Sequence, residues 1–291
     1  MIQDKSVGSR LFNFTNTAIL TIIALVTVLP FIHVLGSSFA TGAEIASRSF
    51  LIFPTKFTLS AYKYIFSTDT ILKSIGVSIF VTVVGTTWSM LLSTMTAYGL
   101  SRKDLPGRRY IMFFIIFTML FNGGIIPTFI IVQKTGLLDS LAALIIPVSI
   151  NVFNMIILKT FFQNLPSGLE ESAKIDGAGD FAVLFRIVIP CSLPAIATIS
   201  LFYGVTYWNT YMHAILYLSD AAKWPVQVLL RQIVVLATGI SFDSAEYSDV
   251  PPPSQSVKMA VIVVATIPIL IVYPFLQKHF AKGALLGSVK E

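Results

Sequence analysis

The sequence predicts an all-α integral membrane protein with six membrane-spanning helices. Three observations carry that prediction. Of the 291 residues, 55% are hydrophobic and only 12% charged, whereas an ordinary soluble domain carries about 25% charged residues. Six apolar segments each supply the roughly 20 residues that a helix needs to cross a bilayer core about 30 Å thick. Basic residues are also spread unevenly over the connecting loops, which sets an orientation.

The elements follow in chain order. Residues 1–15 form a polar N-terminus and 16–36 the first span. Small residues follow it at Gly36, Ser37 and Ser38. The apolar stretch is nevertheless longer than a signal-peptide core of about 7–15 residues, so it is read as an uncleaved anchor. Residues 37–71 form an outer segment whose aromatics, among them Phe50, Phe53, Phe57 and Tyr62, suit an interfacial or partner-facing structure. The second span, 72–100, is long enough to tilt or project from the bilayer. Its Ser78, Thr82, Gly85, Ser89 and Ser93 make a small-residue stripe suited to helix packing. Spans three to six are placed at 110–132, 141–162, 193–217 and 257–277, so that 72–280 form one core ahead of a tail at 281–291. Gly123 and Gly124 within span three suit close helix packing. The outer segment 219–256 is polar, and Pro251–Pro253 stiffen its end. Pro30, Pro127, Pro147, Pro190, Pro194, Pro268 and Pro274 lie in or beside spans. Each removes a backbone hydrogen bond, which a membrane tolerates where neighbouring helices or water satisfy the freed group.

Orientation comes from Lys and Arg. Loop 101–109 holds Arg102, Lys103, Arg108 and Arg109, whereas loop 134–140 holds Lys134 alone. With both termini inside, twelve basic residues face the cytoplasm and eight face outward. The positive-inside bias therefore places both termini in the cytoplasm of a multi-pass plasma-membrane protein. The net charge of +6 is not gathered into a patch, which argues against nucleic acid. Cys191 is the single cysteine, so no internal disulfide forms. His33, His213 and His279 lie far apart in sequence, which argues against a metal site.

The segment between spans four and five is the most informative. Pro166 and Ser167 start a short helix, and Ser167 with Glu170 matches a capping box. Gly177 suits its end, because glycine accepts a left-handed backbone at low cost. Leu169, Ser172, Ala173 and Asp176 fall at i, i+3, i+4 and i+7 on one small-sided face. Physical chemistry alone leaves two readings open: a loop helix packed on its own protein, or one that receives another surface.

Glu171, Ser172 and Ala173, then three residues, Gly177, nine residues, and Ile187 to Pro190 complete a longer pattern. It resembles the EAA loop of bacterial ABC importer permeases, with Ser172 for alanine and Ile189 for leucine as the departures. Trp208–Asn209 and the tail from Lys282 to Lys290 resemble the carbohydrate permeases of the MalG type. Asn122–Gly123–Gly124–Ile125–Ile126–Pro127 resembles the LplC/YtcP branch of Gram-positive bacteria. The resemblance implies a MetI-like permease fold in a type I ABC importer for sugars or oligosaccharides, with plant polysaccharides as one source. It further implies a homologous second permease subunit, a cytoplasmic ATPase dimer and an extracellular sugar-binding lipoprotein. The segment 165–190 would then be the coupling loop, with Glu171, Ser172, Ala173, Asp176 and Gly177 at the ATPase. This chain would not be an enzyme, and ATP and Mg would be bound by the partner ATPase. The sequence has no G-x-x-x-x-G-K-[ST] phosphate loop of its own.

A sugar needs hydroxyl-binding groups and flat apolar surfaces. Tyr203, Thr206, Tyr207 and Thr210 share one helical face of span five, and Asn151 with Asn154 share one in span four. Polar groups facing lipid are costly, so these faces turn inward, either to line a pathway or to bond between helices. Trp208 lies off that stripe and suits packing equally well. Two rivals stand beside this reading. A secondary transporter needs an ionisable residue within the membrane, for which only His33 and His213 offer themselves. A permease for a non-sugar solute would share the EAA loop.

Overall fold

In the computed structural model the described residues are 7–48, 50–237 and 255–287. Pro251–Pro253, within the expected second outer segment, lie outside them. Thirteen helices are named here: α1 Val7–Ser38, α2 Gly42–Ser47, α3 Ser60–Ser67, α4 Asp69–Ser101, α5 Arg108–Leu120, α6 Ile125–Lys134, α7 Val152–Gln163, α8 Ser167–Ile175, α9 Asp180–Cys191, α10 Leu193–Trp208, α11 Met212–Tyr217, α12 Val226–Ala237 and α13 Gln255–Gly287. Among the described residues there is no strand. The middle of α9, Leu184–Val188, is a π-turn. The chain forms two compact units, one from residues up to 69 together with 230–266, the other from 70–229 together with 267 onward.

In the first unit α1 is exposed along most of its length and buries only Gly36, Ser37 and Ser38. That end is pinned. A Cβ on Gly36 would lie 2.3 Å from the Ile52 carbonyl oxygen, so only glycine permits this approach. The Leu51 N–H donates to His33 Nδ1 at 3.0 Å, and the His33 ring stacks on Phe50 at 4.9 Å. The segment 37–71 folds around Phe39, which stacks on Phe57 at 5.1 Å and lies 5.0 Å from Tyr62. Glu44 organises the turn before it, accepting from the Thr55 hydroxyl at 2.7 Å and the Thr55 N–H at 2.8 Å. Those bonds hold its carboxyl below the usual carboxylate range.

In the second unit the small-residue stripe of α4 is buried at Ser78, Gly85, Ser89 and Ser93. Tyr203 and Tyr207 of α10 fill the space these small side chains leave. Tyr203 hydrogen-bonds Ser93 at 2.6 Å, and Tyr207 bonds Ser89 at 2.7 Å. The core of the unit also takes in Met155, Leu158 and Phe162 of α7 and Val183, Leu184 and Val188 of α9.

Among the described residues three helices are long and apolar enough to cross a membrane, and up to six spans result if each bent pair counts as one. The expected spans three and four are broken, and α10 ends at Trp208, inside the expected span five. α5 and α6 meet at 114°, the 3-10 turns of 141–148 meet α7 at 52°, and α9 meets α10 at 88°. Residue chemistry accounts for the breaks. Gly124 adopts φ +87° and donates its N–H to the Asn122 side chain at 2.9 Å, so the glycine pair ends a helix rather than packing inside one. Pro194 stands in the first turn of α10, where its missing N–H leaves no bond unmade. Pro268, by contrast, lies within α13 without ending it. The polar segment 219–256 contains the amphipathic α12, a helix that the sequence reading did not place, with Val226, Leu229, Leu230 and Ile233 at apolar spacing.

Candidate functional site

α8 starts at Ser167 behind Pro166, whose extended backbone makes it the N-cap. Pro166 itself makes no side-chain cap bond, and the expected capping box rests on the Ser167 hydroxyl. The Ser167 side chain lies outside the described residues. The Glu170 carboxylate turns to Arg102, with which it pairs. The other end of α8 is a Schellman turn. The Gly177 N–H donates to the Lys174 carbonyl at 3.1 Å and the Ala178 N–H to the Ala173 carbonyl at 2.9 Å. Gly177 carries φ +84° to make this turn.

The face of α8 that turns inward differs from the expected one. Ala173 is buried in the core of the second unit, so it does not stand with Leu169, Ser172 and Asp176 on an open surface. The outward face is Gly168, Glu171, Ser172 and Ile175, at i, i+3, i+4 and i+7. Ile175 is 86% exposed. Among the described residues Glu171 makes no ion pair, whereas its neighbour Glu170 does. The loop beyond is tied by Lys174 to Asp180 at 3.2 Å.

Arg102 was missed by sequence reasoning, which used it only as a topological charge. Its guanidinium lies over the Tyr98 ring, 4.1 Å from the centroid, besides pairing with Glu170. The preceding carbonyl, of Ser101, accepts from Gln163 Nε2 at 3.3 Å. Nothing in the spacing of these residues connects them. The fold brings the end of α4, the end of α7 and the start of α8 to one place.

The polar residues of spans four and five divide into two groups. Tyr203, Tyr207, Asn154 and Thr210 are buried within the chain. Tyr203 also accepts the Asn151 N–H at 2.9 Å, and Tyr207 donates to the Ile145 carbonyl at 3.3 Å. These bonds satisfy both phenols between helices, the packing alternative that the sequence left open. Thr206 and Asn151 are exposed. The Asn151 side chain caps α7 by accepting the Asn154 N–H at 3.1 Å. Trp208 is buried.

A second cluster that the sequence did not signal joins the loop at 139 to the loop at 219–223. Asp139 holds φ +56° and accepts from the Ser219 N–H at 3.1 Å, the Asp220 N–H at 3.0 Å and Lys223 Nζ at 2.9 Å. The Lys223 hydrogen bond, above all, holds the Asp139 carboxyl below its ordinary range and raises the Lys223 ammonium above its own. Among the described residues no group of His, Cys, Asp or Glu could hold a metal ion.

Residues 6–285 match the family described as "Binding-protein-dependent transport system inner membrane component". The chain belongs to that family. The permease is 65% identical to the polygalacturonan/rhamnogalacturonan transport system permease protein YtcP of Bacillus subtilis (strain 168), over 97% of this chain and 99% of that one. It is 53% identical to protein LplC of the same organism, over 97% and 96% of the two chains. A subunit of a bacterial ABC transporter involved in import of the acidic polysaccharide alginate superposes with a TM-score of 0.86 at 34% identity, over 95% of this chain and 99% of that one. The permease is therefore an ABC transporter membrane component with the MetI-like all-helical fold, a transport protein and not an enzyme.

Proposed function

We propose that this permease forms half of the translocation pathway of an importer for acidic oligosaccharides, chiefly uronic-acid fragments of plant polysaccharides. The observation that carries the reading is identity of 65% along nearly the whole length with a polygalacturonan/rhamnogalacturonan permease. The alginate importer fits it, since alginate too is an acidic polysaccharide. A homologous second permease completes the pathway, and an extracellular sugar-binding lipoprotein delivers the substrate. A separate cytoplasmic ATPase dimer holds the ATP and Mg. The exposed surface of the permease supports a membrane partner. α5 buries no residue within the chain, and the break at Asn122–Gly124 is exposed. Irregular backbone at membrane depth is tolerated only where protein or water covers it. By the same logic Thr206 and Asn151, exposed polar groups in spans, are the favoured pathway residues. The buried Tyr203, Tyr207, Asn154 and Thr210 act behind them as scaffold.

The coupling loop spans 165–190. Glu171 and Ser172 lie on the outward face of α8, Ala173 seats the helix, and Asp176 with Gly177 turns the chain back. The test is a reconstituted complex of both permeases, ATPase and binding protein. Trigalacturonate should stimulate its ATP hydrolysis and enter the vesicles, while maltotriose should do neither. Stimulation by maltotriose alone would remove the acidic-sugar reading, and stimulation by neither would point to a non-sugar solute.

Orientation has its own measurement. A cysteine at Lys103, in a Cys191→Ser background, should resist an impermeant thiol reagent applied to intact cells and react once the membrane is opened. Labelling from outside would invert the topology that the basic loop 101–109 implies.

A further inference from the structure

We propose that Arg102 is a positioning residue that clamps α8 to the inner end of α4, so that displacement of the coupling helix is passed into the membrane bundle. The proposal rests on the reading of 165–190 as the ATPase-coupling loop. Two adjacent acids on α8, about 100° apart around the helix, meet different surroundings. Glu171 faces outward, towards whatever loads the helix, and Glu170 faces inward to Arg102. The pair is largely withdrawn from water, with side chains 21% and 18% exposed. Its guanidinium face is held by Tyr98, one turn back on α4. The joint thus fixes both direction and distance. An Arg over an aromatic ring, paired at its edge, has little freedom to swing.

Beyond the joint α4 is stiff and continuous. It is a single helix from Asp69 to Ser101 and carries Ser93 and Ser89, which bond Tyr203 and Tyr207 of α10. A load applied at α8 therefore reaches α10 through Glu170, Arg102 and the serine–tyrosine pairs. The other attachments of α8 itself are weaker in kind. Ala173 contributes apolar contact only. Lys174 and Asp180 are both exposed and both within the loop, so their pair cannot transmit load to α4.

The measurement is the ratio of trigalacturonate imported to ATP hydrolysed by the reconstituted complex. Arg102→Ala and Glu170→Gln should each bind the ATPase and keep stimulated hydrolysis within about twofold, while the ratio falls about tenfold, the loss expected when a coupling interaction is removed. A purely structural role would lower both activities together and leave the ratio alone. The exchange of charges, Arg102→Glu with Glu170→Arg, should recover the ratio several-fold over either single variant, and Arg102→Lys should fall between. An unchanged ratio in both single variants, or an exchange no better than they are, would overturn the clamp. Glu171→Ala run alongside separates the two ideas. If it also leaves ATPase binding and stimulated transport untouched, the coupling-loop reading itself fails. If it impairs them while Arg102→Ala does not change the ratio, only the clamp fails.

Discussion

Gly177→Val and Glu171→Ala should leave the permease in the membrane and remove most of its ATP-driven transport. Gly177 takes φ +84° in the Schellman turn that ends α8. An added Cβ there meets nothing within 4 Å, so crowding is not the problem. The backbone is. A side chain in the left-handed region costs about 1–2 kcal/mol, and a β-branched one tolerates it least. The turn would open, and α8 would lose the angle at which Glu171, Ser172 and Ile175 face outward. Gly177→Asn should keep more activity than Gly177→Val, because asparagine accepts this conformation more readily. Glu171 acts differently. It sits on the outward face without an internal ion partner among the described residues, so its loss should spare the fold. It should weaken the grip of the ATPase, because a charge pair partly buried at an interface is strongly weakened when one partner goes. Pull-down of the ATPase beside stimulated hydrolysis reads both effects. Full binding and full stimulation in both variants would mean that this loop does not couple.

Gly85→Val should strongly destabilise the second unit. A Cβ on Gly85 would stand 2.8 Å from the Cδ1, Cε1 and Cζ atoms of the Tyr207 ring. Real carbon atoms do not approach so closely, so the ring or the helix must move. The ring is 1% exposed, and its hydroxyl is held by Ser89 and the Ile145 carbonyl. Overpacking of this kind costs about 1–3 kcal/mol. Breaking the phenol's bonds leaves buried polar groups unpaired at about 1–3 kcal/mol more. Gly76→Ala on the same helix is the control, because a Cβ there meets nothing within 4 Å. The measurement is the melting temperature of the detergent-solubilised permease followed by size exclusion. Gly85→Val should lower it by many degrees and Gly76→Ala should not. Equal melting of Gly85→Val and the parent protein would show that α4 and α10 do not pack through this contact.

Most of the architecture was legible because lipid imposes a simple rule on composition. A helix facing hydrocarbon must be apolar over its whole length, and that is visible residue by residue. The stretches 16–36, 72–100 and 257–277 fall inside α1, α4 and α13. The serine and glycine stripe of α4 was readable as a packing surface by its spacing alone. The breaks were harder. Hydropathy is blind to a bend, so spans three and four read as continuous although Asn122–Gly124 and Pro147 carried the signal. Pro268 shows why that signal is ambiguous, since a similar residue stays within a helix.

The sequence by itself determined the fold class, the family resemblance and the position of a short helix ended by Gly177. Each depends on local chemistry: apolar length, residue spacing, and the one residue type that takes a left-handed backbone cheaply. Only the tertiary structure decided which way those residues face. Glu170 and Glu171 are identical and adjacent, yet one pairs with Arg102 and the other faces outward. Tyr203 and Tyr207 carry groups that could meet a sugar, yet Ser93 and Ser89 engage them inside the chain. Arg102, Asp139 and Lys223 acquire their roles from partners 68 to 84 positions away. A helical period states which residues share a face, but what that face meets is set by long-range packing, which one stretch of chain does not encode.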